Sequence, residues 1–138
     1  EIDSYKRKIS GPLMDRIDMQ INLSRVEFSE LKTKEKGESS AAIRERVVKA
    51  RLLQQERLEA LGMHCNAQMS RSEVVKYCQL DAAAQNVMER YFNMLNLSAR
   101  SHDRILKVAR TIADLAGSES IEAVHLAEAI QLRTSVRP

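Results

Sequence analysis

The sequence predicts a mainly α-helical fold, in which a helical bundle follows the last helix and strand of an α/β core. Only 4% of the 138 residues are aromatic and none is Trp, so the core must consist mainly of aliphatic side chains, which suit helices. The 4 Gly and 2 Pro are too few for the many tight turns of an all-β fold. A single clear stretch, residues 17–24, alternates apolar and polar residues as a strand does.

Composition indicates a soluble folded domain, with 43% hydrophobic and 30% charged residues. The net charge of +3 is mild, so charge alone does not indicate a nucleic-acid-binding protein. Cys65 and Cys78 form no Cys-x-x-Cys pair, which favours a reduced, cytoplasmic setting. No apolar run approaches the roughly 18 residues of a membrane span, and we expect no membrane partner.

The first segment, residues 1–30, is predicted to be the C-terminal edge of an α/β core. Ser10 can cap a short helix that ends near Arg16, and Pro12 lies in its first turn, where a missing N–H costs nothing. The strand over 17–24 follows directly. Because one strand cannot satisfy its own hydrogen-bonding edges, it needs a sheet that these residues do not supply.

The second segment, residues 31–69, is predicted to be a connecting region with one long, highly charged helix. A helical turn over 28–32 and a loop over 33–38 come before it. Ser39 or Ser40 caps the helix, which runs to about Leu61 and is ended by Gly62. Its expected inner positions include Ile43, Val47, Ala50, Leu53 or Leu52, Leu58 and Leu61. Its high charge leads us to expect that part of it faces solvent or a partner.

The third segment, residues 70–138, is predicted to be a compact helical bundle. Ser70 and Glu73 fit a capping box, and Asp81 can cap a second helix over 81–95. That helix has Ala84, Met88, Tyr91, Phe92 and Leu95 as its expected inner face. A last helix over 121–132 has the expected inner positions Val124, Ala127 and Ile130.

The most strongly patterned helix runs from Ser98 to Gly117, two residues suited to cap its start and to close its end. Its apolar face is predicted to contain Ile105, Val108, Ala109, Ile112 and Ala116. Arg100, Arg104 and Lys107 share another face. The first of these cations lies beside the helix N-terminus, where backbone N–H groups already favour an anion.

Two motifs in this order suggest a family. The stretch Ile9–Asp18 (ISGPLMDRID) resembles the segment that carries the arginine finger in AAA+ ATPases of the magnesium-chelatase and minichromosome-maintenance branch, with Met14 replacing the usual second leucine. Leu97–Arg100 (LSAR), with the helix that follows, resembles the sensor 2 helix of the same branch. Gly37–Ser40 (GESS) and Ala113–Ser118 (ADLAGS) narrow the resemblance to the bacterial magnesium-chelatase-like proteins, the group that contains the competence protein M helicase.

The resemblance implies that the chain is the C-terminal lid of a ring-forming AAA+ ATPase, with the final helix and strand of the core attached. It implies Arg16 as the arginine finger, which reaches the ATP of the neighbouring subunit, and Arg100 as sensor 2. Arg104, on the same face as Arg100, is a further candidate contact to the nucleotide. ATP and Mg²⁺ would be cofactors of the full-length protein and not of this fragment, because no Gly-x-x-x-x-Gly-Lys-Ser/Thr phosphate loop occurs here.

The resemblance also implies partners, namely the other subunits of a homohexameric ring, with DNA as a candidate substrate for translocation or branch migration. Whether Arg100 acts on its own subunit's nucleotide or on a neighbour's stays open. Two other functions also stay open: a non-enzymatic module that binds nucleic acid or protein through the face of Arg100, Arg104 and Lys107, and a metal-chelatase ATPase subunit.

Several residues have simpler structural interpretations. Arg110 is expected to be structural, and Arg104 and Lys107 could be a solvated or salt-bridged face. The spacings of the cysteines and histidines fit no common zinc pattern, so we expect scattered buried Cys and surface His and no metal site. Tyr77, Tyr91 and Phe92 occur at core spacing and are interpreted as packing residues.

Overall fold

The computed structural model describes residues 11–14, 16–23, 25–26 and 37–134. Its helices are α1 (Gly11–Met14), α2 (Ser40–Leu58), α3 (Arg71–Tyr77), α4 (Ala82–Met94), α5 (Ala99–Ala116) and α6 (Ala123–Thr134). Two short 3-10 turns, Glu59–Leu61 and Asn66–Gln68, connect α2 to α3. This architecture confirms the mainly α-helical fold. The predicted Ser10 cap and the turn over 28–32 lie outside the described residues.

The predicted caps at Ser39, Ser70, Asp81, Ser98 and Gly117 are confirmed, because each is specified by local chemistry. The Ser39 side chain accepts a hydrogen bond from the Ala42 N–H, and Asp81 accepts one from the Ala84 N–H. Ser70 and Glu73 form the reciprocal capping box, and these hydrogen bonds lower the pKa of Glu73 to about 2. Gly62 closes the turn after α2 with a positive φ of 69°. Three predicted bounds differ: α1 ends at Met14 rather than near Arg16, α2 ends at Leu58 before a 3-10 turn, and α6 covers Ala123–Thr134 rather than 121–132.

Helix α5 is the centre of the bundle. It packs most extensively against α6 and also contacts α2 and α3. Ile105 and Ala109 are fully buried, as predicted, and Val108 and Ile112 are half-buried at the edge of the core. Ala116 is exposed, because it lies in the last turn beyond the packed partners. The core continues through Leu58, Met69, Val74, Met88, Leu97, Ile121, Leu126 and Ile130.

Two predicted inner faces are correct only in part: Ala50 and Leu58 of α2 and Ile130 of α6 are buried as predicted, and the other predicted positions are not. The buried residues of α2 are Ala50, Gln54 and Leu58, spaced four apart, whereas Ile43, Val47, Leu52, Leu53 and Leu61 are exposed. Polar Gln54 is buried because its side-chain carbonyl accepts from the backbone N–H of Asn66 at 3.2 Å. In α6 the buried set is His125, Leu126, Ala129, Ile130 and Arg133, while Val124 and Ala127 face solvent.

The predicted strand over 17–24 is not formed in the described residues 16–23. Apolar side chains at the alternating positions Ile17, Met19, Ile21 and Leu23 are exposed, and Leu23 is 91% exposed. A strand requires a neighbouring strand for its hydrogen bonds. A backbone hydrogen bond joins this stretch to α6, where the Gln20 N–H donates to the Leu132 carbonyl at 2.7 Å.

A buried carboxylate joins α2, the 3-10 turn and α5. The side chain of Asp114 is 0% exposed and accepts two hydrogen bonds from Arg57, at 2.6 and 3.0 Å. Asn66 donates to the same carboxylate at 2.8 Å, and the Arg110 Nε donates at 3.1 Å. A buried charge is tolerated when it is paired and fully hydrogen-bonded, as it is here.

Arg110 extends the same network to the end of α5. Its two terminal nitrogens donate to the carbonyls of Ser118 and Glu119, at 2.6 and 2.7 Å. Its side chain is 3% exposed, and burial lowers the pKa of the guanidinium while Asp114 opposes that shift. The structural role predicted for Arg110 is therefore confirmed.

Replacing Gly117 with Ala should lower the free energy of unfolding by about 1 kcal/mol, because φ is +70° and a Cβ strains this left-handed backbone. No atom lies within 4 Å of the added Cβ, so the cost is conformational only. The measurement is urea denaturation. Gly37→Ala is the matched control, since Gly37 is equally open and lacks a positive φ. Equal stability of both variants would contradict the expectation.

Replacing Asp114 with Asn should lower the free energy of unfolding by about 3–5 kcal/mol, because two buried guanidinium groups lose their counter-charge. Glu45→Gln is the control: it makes the same chemical change in a carboxylate that pairs with Lys49 and is 68% exposed, where solvent screens the pair and the loss of stability is small. Denaturation curves of the two variants are compared. A loss for Asp114→Asn no greater than that for Glu45→Gln would show that the network does not hold α2 on α5.

Candidate functional site

Arg100 lies in the first turn of α5, beside a well-formed cap. Ser98 accepts a hydrogen bond from the Ser101 N–H at 3.1 Å, so the start of the helix is fixed. Arg100 is exposed, and within the described residues its side chain makes no hydrogen bond or ion pair. A cation in the first turn is opposed by the helix dipole, whereas an anion at that place is stabilised. The local field and the free guanidinium together make this a place suited to a negatively charged ligand.

The other two cations of the predicted face are held by the protein. Arg104 lies one turn further along α5; its Nη1 donates to the Arg16 carbonyl at 2.9 Å and forms an ion pair with Asp18. Lys107 donates to the Ala67 carbonyl at 3.2 Å. The three residues therefore share a face, as predicted, but differ in what they contact.

Arg16 is exposed and follows directly after α1. Its backbone N–H donates to the Leu13 carbonyl at 3.0 Å, and its Nη1 lies 3.5 Å from the Pro12 carbonyl oxygen, a long and weak contact. The guanidinium thus has most of its donors free for another partner. The structure brings the backbone of Arg16 against α5, close to the turn that carries Arg100.

A cleft of about 850 Å³ opens beside Arg100. Its walls come from α2, α3, α5 and α6, from the segment 65–70 and from Asp18 and Met19. Five basic side chains line it: Arg51, Arg71, Arg100, Arg104 and Lys107. Arg71 is paired with Asp103 at 2.5 Å, and hydrogen bonds from His102 and Arg71 outweigh partial burial to lower the pKa of Asp103.

Arg51 and Arg71 are the cleft cations that the sequence did not single out. Arg51 is exposed and, among the described residues, has no hydrogen bond or ion pair. The high charge of its helix predicted only that part of the helix faces solvent or a partner. The helical spacing of Val47, Arg51 and Gln54 could have shown that Arg51 adjoins the packed side of α2, because residues four and three apart share a face.

Metal chemistry finds no support among the described residues, where no group of three or more His, Cys, Asp or Glu side chains could hold an ion. Cys78 is buried, and this burial raises the pKa of its thiol to about 11. His125 is buried rather than on the surface, and its Nδ1 accepts from the Glu122 N–H at 3.1 Å, which corrects the expectation for that histidine. No described helix is long and apolar enough to cross a membrane.

Comparison with known proteins places these features in a family. Residues 37–133 match the family described as magnesium chelatase, subunit ChlI C-terminal, and residues 1–31 match magnesium chelatase, subunit ChlI. The chain is 40% identical to the competence protein ComM of Haemophilus influenzae over 138 residues, which is 99% of this chain and 26% of that protein.

Uncharacterized relatives match over the same region. The chain is 38% identical to the YifB protein of Escherichia coli over 130 residues, and 33% identical to a Mycobacterium tuberculosis protein over 129 residues. In both cases the match covers 94% of this chain and 25% of the relative, so the chain spans about a quarter of the length of these relatives. The resemblance that the motifs indicated is confirmed, and the chain belongs to the magnesium chelatase subunit ChlI C-terminal family.

Proposed function

We propose that this chain is the lid and sensor 2 region of a ring-forming AAA+ ATPase that couples ATP hydrolysis to remodelling. The remodelling that we propose is DNA translocation or branch migration. One observation carries the proposal. Arg100 stands exposed and unengaged among the described residues at the N-terminus of a helix whose opposite end is locked in the core. Rigid support for a free cation is what a phosphate-sensing residue requires.

Arg100 has the role of sensor 2 and contacts the γ-phosphate, and Arg16 has the role of the arginine finger. Phosphoryl transfer spreads negative charge over the phosphate oxygens, and a planar, permanently charged guanidinium can donate two hydrogen bonds to them. Mg²⁺-ATP supplies the reacting phosphate when it is bound elsewhere in the full-length protein. The residues here fit that role, since they offer exposed arginines and no phosphate loop of their own.

A homohexameric ring is the assembly that this proposal requires. Exposed apolar side chains support it, because they need a cover: Ile21, Leu23 and Val26 after the Arg16 segment, and Val48 and Leu52 on α2. The rest of the polypeptide and the neighbouring subunits are the proposed covers. The 40% identity to a competence protein supports DNA as the substrate that the ring remodels.

Two alternatives are weighed against this proposal. A module that binds nucleic acid through Arg100, Arg104 and Lys107 is disfavoured, because the last two already donate to Asp18, Arg16 and Ala67. A chelatase ATPase subunit is favoured by the description of the matching family, and it would use Arg16 and Arg100 in the same way. Binding of DNA by the assembled ring would distinguish the proposed DNA-remodelling ATPase from a chelatase ATPase subunit.

In the full-length protein, Arg16→Ala and Arg100→Ala should each lower ATP turnover by about 100-fold or more, because each removes a cation from the charge that develops on the phosphate. Steady-state hydrolysis gives the rates, and circular dichroism checks the fold. Arg90→Ala is the matched control, because Arg90 is exposed on α4 and, among the described residues, makes no hydrogen bond or ion pair.

Wild-type ATP turnover in both Arg16→Ala and Arg100→Ala would contradict the catalytic roles assigned to these arginines. The isolated 138 residues should show no turnover, and measurable hydrolysis by them would contradict the lid assignment. Salt-dependent DNA binding by the isolated chain that disappears when Arg100, Arg104 and Lys107 are neutralised would instead favour the non-enzymatic module.

A further inference from the structure

Two arginines from different helices hold two consecutive carbonyls of the segment that follows α1. Arg104 of α5 donates to the Arg16 carbonyl at 2.9 Å, and Arg133 of α6 donates to the Ile17 carbonyl at 2.8 Å. Arg133 also donates to the Ser101 hydroxyl at 3.0 Å. The backbone that carries the Arg16 side chain is thus attached to two helices of the lid, α5 and α6.

The two attachments differ in burial. Arg133 is 7% exposed, whereas the Arg104 side chain is 27% exposed and its partner Asp18 is 50% exposed. A buried guanidinium bound to a carbonyl is costly to leave unpaired, so Arg133 gives a firm anchor. Arg104 lies at the rim of the cleft and is the attachment that a substitution can remove without opening the core.

We propose that Arg104 and Arg133 form a clamp that positions Arg16 relative to Arg100, and that Arg104 acts as a positioning residue rather than as a phosphate contact. The inference rests on the proposed function. It replaces the nucleotide contact expected for Arg104 from the family resemblance.

The clamp can link the positions of Arg16 and Arg100 because Arg100 and Arg104 lie on the same helix. Arg100 and Arg104 lie four residues apart on the same helix, a rise of about 6 Å. Any tilt of α5 therefore moves Arg100 and the Arg16 carbonyl together. Where Arg16 and Arg100 of one subunit act on the same phosphoryl group, the rate depends on this fixed separation, because a misplacement of about 1 Å can lower a rate by about 100-fold.

The contacts of Arg104 distinguish a positioning residue from a residue that binds phosphate. Its guanidinium is shared between a neutral carbonyl and a carboxylate, so its charge is already compensated by Asp18. Both contacts use Nη1, so a phosphate that bound the remaining guanidinium nitrogens would lie beside the Asp18 carboxylate, which repels it. A positioning residue keeps the pair with Asp18, and the effect of losing Arg104 then passes through Arg16.

The test uses Arg104→Ala in the full-length protein. We expect kcat for ATP to fall by about 10-fold while KM changes less than about 2-fold, because positioning affects the reacting geometry and not the binding of nucleotide. Hydrogen exchange at the Gln20 amide should also become faster, since its bond to Leu132 lies beside the clamp. Arg90→Ala is the matched control for loss of one arginine.

Asp18→Asn supplies the second variant and keeps the experiment informative if Arg104→Ala impairs assembly. It should lower kcat in the same direction but by less, because it removes only the ion pair and leaves the bond from Arg104 to the Arg16 carbonyl. The double variant should lose no more than Arg104→Ala, because that change already removes the partner of Asp18. Additive losses from the two changes would contradict the clamp.

Two further outcomes would overturn the inference. A rise in KM of about 10-fold with kcat retained would assign Arg104 to nucleotide binding. Unchanged kcat together with an unchanged rate of hydrogen exchange at the Gln20 amide would contradict the clamp. Failure of the proposed function is recognised separately, because Arg16→Ala itself would then retain wild-type turnover.

Discussion

The buried carboxylate of Asp114 is the contact on which the rest of the bundle depends. It receives donors from α2, from the 3-10 turn at Asn66 and from α5 itself, and its side chain is closed to solvent. Charges buried in this way have no acceptable alternative partner, so the network selects one arrangement of the three elements. The C-terminal half of α5 is thereby immobilised, and the end that carries Arg100 projects from a fixed base.

The arginines of α5 form a series from the core to the solvent. Arg110 is buried and satisfied by Asp114 and by the carbonyls that follow the helix. Arg104, less than two turns earlier, bridges the helix to the Arg16 segment. Arg100 is exposed and unengaged among the described residues. One residue type therefore serves in packing, in positioning and as a free cation, and what separates the three roles is the set of acceptors within reach.

The sequence predicted what is decided within a few residues. Ser39, Ser70, Asp81, Ser98 and Gly117 act at the helix ends because a cap bonds to a backbone group at most five positions away. It failed where distant contacts decide: Arg57 and Asp114 are 57 positions apart, and no local pattern signals that pair. The inner face of α2 was partly mispredicted for the same reason, because Gln54 is buried by a bond to a loop and not by its own hydropathy.

The candidate site also combines residues that local motifs predict with contacts that only the fold reveals. Arg16 and Arg100 could be named from their flanking motifs, and those assignments stay predictions. The contacts of Arg104 could not be foreseen, because Asp18 lies 86 positions earlier. These contacts link the two halves of the site physically. Since Asp114 fixes α5 to α2 and Arg104 fixes α5 to the Arg16 segment, a displacement of α2 must reach both predicted catalytic arginines through one helix. A bundle connected in this way can respond to a neighbouring element as a single body, which is the mechanical property that the proposed coupling of hydrolysis to ring motion requires.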